Sequence, residues 1–388
     1  MAGPDAFASA RLGPVTLRNR VIKAATFEGA TPESLVTERL IAFHREVAEG
    51  GAGMSTVAYL AVSPEGRTHK EQIYLREQAF PGLQRLTDAV HEAGAAIAAQ
   101  IGHAGPVANG RSNAGQAIAA SALPSPLSLQ MIRAATATDL HRITAAYAAG
   151  ARLAVRSGFD ALEVHVGHGY LLSSFLSPNL NRRKDSYGGT LTRRAAFPRL
   201  IMRTVREAAG SSVAVTAKVN MCDGTPKGLK INESIEFAQM LEADGHLDAL
   251  QLSAGSSLAN PMFLFRGDVP LREFADAMPA HVRWAMRLFG RGFLRGYPFE
   301  EAYLLPMARR FRAALNMPLI LLGGINQRAT LEKAMAEGFQ FVAMARALLR
   351  EPDLVKRMRA EAADGVCIHC NRCMPTIYSA TRCVLRTG

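Results

Sequence analysis

Short apolar runs alternate with longer amphipathic stretches along most of the chain. Eight of the short runs predict buried β-strands, because they are rich in Val, Ile, Leu and Ala and are bounded by polar or glycine-containing segments. These runs are Val21–Ala25, Met54–Tyr59, Ala96–Ile101, Ala161–Val164, Val213–Val219, Ala249–Leu252, Leu319–Leu322 and Phe341–Met344.

The segments between these runs predict helices, since their apolar residues recur at helical spacing. The predicted helices are Thr37–Glu49, Gly82–Ala93, Thr138–Ser157, Thr192–Ala209, Ile231–Asp244, Tyr303–Leu315 and Arg328–Glu337. Strands that alternate with helices in this way favour an α/β fold, a closed parallel (β/α)8 or TIM barrel, over a doubly wound open sheet.

We expect the barrel to span residues 1–352, followed by a C-terminal extension over 353–388 that contains a helix and a four-cysteine tail. Residues 256–300 interrupt the barrel pattern, because they fit no simple helical crossover and are rich in Phe, Met, Arg and Gly. We interpret them as an insertion that caps the active site or contacts a partner, a membrane surface or a second subunit.

The composition is that of a soluble globular protein, with 48% hydrophobic and 20% charged residues among 388. No run reaches the roughly 18 uncharged apolar residues of a membrane-spanning helix, and the N-terminus lacks the apolar core of a signal peptide. A cytoplasmic location is therefore expected. The net charge of +12 comes without a nucleic-acid motif, so we expect no nucleic-acid partner. An anionic cofactor or substrate would benefit from this charge, which does not by itself indicate one.

Two histidines and a tyrosine follow the predicted strand Ala161–Val164. His165, His168 and Tyr170 lie where a strand gives way to a loop, which is where TIM barrels carry their chemistry. All three can donate a hydrogen bond or a proton. Taken alone, the two histidines could equally be satisfied core residues or a fragment of a metal site.

Polar residues also end or interrupt other predicted strands. Gln100 offers a donor and an acceptor at the end of an apolar run. Lys218 lies inside an apolar run and therefore needs an anionic partner, either a nearby carboxylate or a bound ligand. Gly323 and Gly324 end the seventh strand and Arg346 follows the eighth, which is the pair of loops that binds phosphate in many TIM barrels.

Four of the five cysteines fall within the last part of the chain. The pattern Cys367-x-x-Cys370-x-x-Cys373 with Cys383 matches the ligation of a [4Fe–4S] cluster. A zinc ion is an alternative, because thiolates bind both, and cysteines that bind no metal are a third reading. The remaining cysteine, Cys222, is interpreted as structural.

The stretch Glu163–Pro178 and the following Asn181–Gly189 resemble the signature of the old yellow enzyme family, the FMN-dependent ene-reductases. The shared elements are His-x-x-His, Gly-Tyr-Leu, Phe-Leu-Ser-Pro, then Asn, Arg, Asp and Tyr-Gly-Gly, in that order. The resemblance extends over nearly the whole chain. It implies that FMN is held by Ala25, Thr26, Ala58, Gln100, His165, Lys218, Gly323, Gly324, Ala345 and Arg346.

The chain departs from the family pattern at three positions. Phe27 stands where the family often has a Thr or Cys that tunes the flavin, so that Thr26 or a backbone group would have to serve. Lys218 replaces an Arg beside the flavin, which preserves the charge but not the geometry. Ala345 replaces a Gly in the second phosphate loop.

The resemblance implies that NAD(P)H delivers hydride to flavin N5 and that the hydride then passes to a C=C bond beside a carbonyl or similar group. His165 and His168 would hold the oxygen of this α,β-unsaturated substrate, and Tyr170 would donate the proton. The cysteine tail is similar to that of the 2,4-dienoyl-CoA reductase and trimethylamine dehydrogenase branch.

Two other functions stay open at this point. The first is a flavin and iron–sulfur dehydrogenase that passes electrons to a partner. The second is a non-redox barrel whose zinc-held tail mediates interactions. The resemblance is also compatible with a homo-oligomer.

Overall fold

The computed structural model describes residues 3–113, 115–125, 128–278, 280–361 and 363–386. Eight parallel strands form a closed barrel, which confirms the predicted fold. They are β1 (Val21–Phe27), β2 (Met54–Ala61), β3 (Ala96–Gly102), β4 (Ala161–Val166), β5 (Ala214–Asn220), β6 (Ala249–Ser253), β7 (Leu319–Leu322) and β8 (Phe341–Met344). Outside the described residues lie Met1, Ala2, Ala114, Pro126 and Leu127 of the predicted barrel, Pro279 of the predicted insertion, and Ala362, Thr387 and Gly388 of the predicted tail.

Helices connect the strands of the barrel and follow the last of them. They are α1 (Glu38–Glu49), α2 (Phe80–Glu92), α3 (Ala137–Arg156), α4 (Leu171–Leu176), α5 (Leu191–Ala209), α6 (Ile231–Asp244), α7 (Leu271–Asp276), α8 (Ala280–Phe293), α9 (Leu305–Ala314), α10 (Arg328–Ala336), α11 (Arg346–Arg350) and α12 (Leu354–Glu361). Helix α3 shows how the sequence sets such an element. Thr136 and Asp139 form a capping box at its start, and Leu140, Ile143 and Tyr147 bury one face.

Smaller elements were not predicted. A hairpin of Ala10–Leu12 and Val15–Leu17 precedes the barrel, and three short strands, Ile118–Ala119, Leu123–Pro124 and Met131–Ala134, pair in the loop after β3. Within the described ranges, every helix is too short or too polar to cross a membrane.

A buried ion pair lies beside β1, inside an otherwise apolar wall. Lys23 and Glu28 are almost completely buried, and Lys23 Nζ lies 2.7 Å from Glu28 Oε1. The other carboxylate oxygen of Glu28 accepts a hydrogen bond of 3.0 Å from the amide of Ala58. The register of β1 against β2 shifts between Lys23 and Thr26, and such bulges leave backbone amides unpaired. Glu28 therefore satisfies both a buried cation and an amide next to the bulge.

Replacing Glu28 with alanine should strongly destabilise the fold, because Lys23 would be left buried without its partner. We expect the free energy of unfolding to fall by about 3–5 kcal/mol, measured by urea denaturation. The matched control is Glu49→Ala, which removes an exposed ion pair with Arg45 and should cost well under about 1 kcal/mol. Equal effects of the two substitutions would contradict a stabilising role for the buried pair.

Candidate active site

Glu163 joins the polar side chains at the C-terminal mouth of the barrel. Its Oε1 atom accepts a hydrogen bond of 2.6 Å from Gln100 Nε2 and lies 3.0 Å from Lys218 Nζ. Gln100 pairs directly with Glu163 in the strand register, and Lys218 pairs with His165. The exposed fraction of Gln100, Glu163 and Lys218 is at most 5%. Of the two partners that the sequence allowed for Lys218, the structure supplies the carboxylate.

The three residues predicted to be catalytic form one cluster at the end of β4. The ring centroid of His165 lies 4.5 Å from that of Tyr170 and 5.1 Å from that of His168. His168 Nε2 lies 2.7 Å from the hydroxyl of Ser253, and its backbone amide donates to Asn220. His165 Nδ1 is buried and has no partner among the described residues. This nitrogen is therefore available to a bound molecule.

Burial keeps this cluster neutral near neutral pH. It lowers the pKa of His168 to about 3, and the nearby Lys218 charge adds to the effect. The pKa of His165 is also well below its usual value, first because of burial and then because of His168 and Lys218. Burial raises the pKa of Tyr170, so its hydroxyl stays protonated. The site thus presents neutral imidazoles and a phenol, which can hold an oxygen atom and give up a proton.

Small, partly buried residues lie in or just after several barrel strands. They are Ala25 and Thr26 in β1, Ala58 in β2, Gly324 after β7 and Ala345 after β8. Their small side chains would admit a planar ring system, and the unpartnered His165 nitrogen could bond to its polar edge. The residues present therefore fit FMN, and the contacts of each with FMN stay predictions.

The predicted phosphate loops are built around glycine and arginine. Gly323 and Gly324 have φ angles of 113° and 72°, a region that disfavours other residues. Arg346 is buried, and its guanidinium donates to the carbonyl of Arg266 at 2.9 Å, to the hydroxyl of Tyr303 at 3.3 Å and to the side chain of Asn371. These contacts fix Arg346 beside the glycine loop, while its bond to a phosphate remains a prediction.

The four tail cysteines line a single cavity. The cavity is partly open to solvent and also borders Arg346. Burial raises the pKa of the Cys373 thiol to about 11 and also raises that of Cys367. Within the described residues, no three His, Cys, Asp or Glu side chains are arranged to hold a single metal ion. The four predicted ligands therefore line the same cavity, but their thiols are not arranged around the position of a single metal ion.

Several residues of the site were not singled out from the sequence. Glu163 and Ser253 lie inside or at the end of apolar runs, where they partner Lys218 and His168. Lys23 gave the same signal as Lys218, a cation inside an apolar run, and could have been found in that way. Tyr303 and Arg266 gave no local signal, because their roles come from contacts between distant segments.

The sequence of the chain matches a family of known proteins. Residues 5–258 match the model of the NADH:flavin oxidoreductase / NADH oxidase family. The chain is 58% identical over 384 residues to the 4,4'-dithiodibutanoate disulfide reductase of Rhodococcus erythropolis, which covers 99% of this chain and 95% of that protein. It is 29% identical over 375 residues to the NADH oxidase of Thermoanaerobacter brockii, which covers 95% of this chain.

The chain spans 53% of the length of that NADH oxidase, so this relative is about twice as long. Among solved structures, the complex of a 2-naphthoyl-CoA reductase with 2-naphthoyl-CoA aligns with a TM-score of 0.83 at 24% identity. The alignment covers 97% of this chain and 56% of that one. It supports the same barrel fold.

The stability of the protein should fall on acidification because of the buried histidines. Below pH about 6.5 the unfolded chain binds a proton at His168, whereas the folded chain binds it only near pH 3. Stability is therefore lost as the pH falls through this window, by up to about 1.4 kcal/mol per pH unit for each such histidine. Urea denaturation of His168→Asn at pH 7, 6, 5 and 4 should show a shallower loss than the parent protein.

The control for this measurement is His141→Asn on the exposed surface of α3, which should keep the slope of the parent protein. A slope that His168→Asn leaves unchanged would show that His168 is protonated in the folded state as readily as in the unfolded one.

Proposed function

The chain belongs to the NADH:flavin oxidoreductase / NADH oxidase family, and on this premise we propose that it reduces an activated C=C bond next to a carbonyl or similar group. Family membership makes it an FMN-dependent oxidoreductase that uses NAD(P)H. The proposed reaction is balanced by NAD(P)H and one proton, which yield NAD(P)⁺ and the saturated product. We further propose that it is a cytoplasmic enzyme with a small-molecule substrate.

The cluster of His165, His168 and Tyr170 is the observation that supports this proposal. Bound FMN would accept the hydride of NAD(P)H and pass the electron pair to the second substrate. Neutral His165 and His168 would donate hydrogen bonds to the carbonyl oxygen of that substrate and stabilise the negative charge that develops there. Tyr170, whose ring packs on His165, would then donate its proton to the α carbon.

A disulfide is the second candidate substrate, favoured by the relative from Rhodococcus erythropolis that is named for 4,4'-dithiodibutanoate. In that case NAD(P)H and one proton would convert the disulfide into two thiols. The protein would have to protonate a leaving thiolate instead of a carbon atom, and Tyr170 could serve in the same role. The two candidates therefore use the same residues and differ in the bond that is broken.

Tyr170→Phe should slow the oxidation of reduced enzyme by 2-cyclohexenone by about 10²- to 10⁴-fold, because the proton donor is lost. Reduction of the bound flavin by NAD(P)H should be unchanged. Anaerobic stopped-flow absorbance measures both half-reactions separately. The matched control is Tyr147→Phe, which removes a fully buried hydroxyl that has no partner among the described residues. Equal losses in both half-reactions would argue against Tyr170 as the acid.

The same measurement separates the two candidate substrates. Reduced enzyme that is oxidised by 2-cyclohexenone but not by 4,4'-dithiodibutanoate would support C=C reduction. The reverse result would replace it by disulfide reduction. Failure with both compounds, in a protein that is reduced by NAD(P)H, would overturn both proposals and leave only the family assignment.

For the tail, we propose that Cys367, Cys370, Cys373 and Cys383 hold a [4Fe–4S] cluster. The proposal is supported by the number and spacing of the thiols, by the single cavity that all four line, and by the arginines that border it. Such a cluster would allow electrons to leave one at a time to a partner protein, which is the alternative to direct substrate reduction. Zinc held by the same thiolates remains the competing assignment.

Metal analysis of anaerobically purified protein should give about four irons per FMN. Cys370→Ala should lose most of this iron, because a cavity ligand is removed. Cys222→Ala is the matched control and should keep it, since Cys222 packs near Met307, away from the tail cavity. One zinc per chain without iron, or no metal at all, would contradict the cluster.

A further inference from the structure

The segment after β6 carries an arginine whose surroundings the proposed reaction does not use. This segment crosses the mouth of the barrel: the amide of Ser257 donates to the carbonyl of His168 at 3.0 Å, and the carbonyl of Arg266 accepts from Arg346. Arg266 therefore lies between the loop that follows β4 and the one that follows β8. It belongs to the predicted insertion for which the sequence left several roles open.

Three aromatic rings surround the guanidinium of Arg266. Its central carbon lies 5.4 Å from the ring centroid of Phe263, 5.8 Å from that of Tyr297 and 5.2 Å from that of Tyr303. Contacts of this kind hold a guanidinium in place but satisfy none of its N–H donors. The Nε atom is buried and has no hydrogen-bond partner among the described residues.

The cage is itself held rigidly. Phe263 packs against Gly224, where an added Cβ atom would lie only 2.8 Å from the ring. The hydroxyl of Tyr297 accepts a hydrogen bond of 2.8 Å from Asn260, and that of Tyr303 accepts from Arg346. Because the rings cannot easily rotate, the guanidinium is positioned before any ligand arrives.

The contrast with the two buried lysines of the barrel is informative. Lys23 and Lys218 each have a buried carboxylate partner, Glu28 and Glu163. Arg266 forms no ion pair with a carboxylate of the described residues. A fixed, partly buried guanidinium with free donors is a site for a planar or tetrahedral oxyanion, which it can bind through two parallel hydrogen bonds.

We propose that Arg266 binds an oxyanion at the barrel mouth, either the phosphate of FMN or a carboxylate of the substrate. The inference rests on the proposed function, because it assumes that the cofactor and an organic acceptor share this mouth. Arg266 lies beside Tyr303 and Arg346 at the predicted phosphate loops, which favours the first source. The partly exposed side chain of Arg266 would allow the second.

Arg266→Met tests the proposal, since it keeps an apolar side chain in the cage and removes the charge. The binding arm compares the Kd of apoprotein for FMN with that for riboflavin by flavin fluorescence. The kinetic arm compares the KM for dianionic 4,4'-dithiodibutanoate with the KM for the neutral 2-hydroxyethyl disulfide and 2-cyclohexenone. The matched control is Arg295→Met, an exposed arginine that lies 5.7 Å from the same Tyr297 ring.

Loss of a charge-assisted hydrogen bond corresponds to about a tenfold or larger loss of affinity. If FMN binding weakens by that factor and riboflavin binding does not, the oxyanion is the flavin phosphate. If FMN binding is kept and only the KM of the dianionic disulfide rises, it is a substrate carboxylate. Unchanged ratios in both arms, or equal losses for charged and neutral ligands, would overturn the proposal.

Arg266→Gln provides a second variant in case the methionine variant fails to fold, because it keeps hydrogen-bond donors but not the charge. The binding arm does not depend on turnover. If the parent protein binds FMN yet reduces none of the three compounds, the proposed function fails while the role of Arg266 toward phosphate is still measured.

Discussion

The mouth of the barrel depends on one buried carboxylate. Oε1 of Glu163 accepts a hydrogen bond from Gln100 and forms an ion pair with Lys218, so Glu163 links β3, β4 and β5 at the point where a cofactor would lie. A lysine buried in this position needs such a partner, because an unpaired buried charge is costly. The same contact partly neutralises the positive charge that Lys218 is predicted to place beside the flavin. The electrostatics of the site are therefore set by a pair, and not by the cation alone.

The cysteine-bearing tail packs against the end of β1. The amide of Thr381 donates to the carbonyl of Glu28 at 2.7 Å, and its hydroxyl donates to that of Phe27. An added Cβ atom at Gly29 would lie only 2.3 Å from the carbonyl oxygen of Ile377. The end of β1 is thus fixed from inside by Lys23 and from outside by the cysteine-bearing tail. Whatever the thiols bind is structurally connected to the strand predicted to border FMN.

The features predicted from the sequence were those that depend on local patterns of residues. Eight apolar runs became the eight barrel strands, because a parallel barrel buries its strands on both faces. Two predicted strands ended one residue early, just before Asn220 and Ser253, since these polar residues lie at the mouth and break the apolar pattern. The family signature grouped His165, His168 and Tyr170, and the structure brings their rings together.

The rest could not be predicted in this way, because it depends on contacts between residues far apart in the chain. The partner of Lys218 lies 55 positions earlier, and nothing near Lys218 identifies it as Glu163. The cage of Arg266 joins Phe263 to two tyrosines more than 30 positions later. Such pairs appear only when the barrel closes and the insertion folds over it.

The two candidate substrates make the same demands on the catalytic cluster. Reduction of a C=C bond and of a disulfide each needs an electron pair and a proton from a neutral donor, and the raised pKa of Tyr170 keeps that donor protonated. The cluster alone therefore does not select between them. Selection has to come from groups that hold the remainder of the substrate, because a carboxylate gains more from a fixed, unpaired cation than a neutral ketone does. Arg266, caged and without a carboxylate partner in the described part of the chain, is a side chain that could supply this difference.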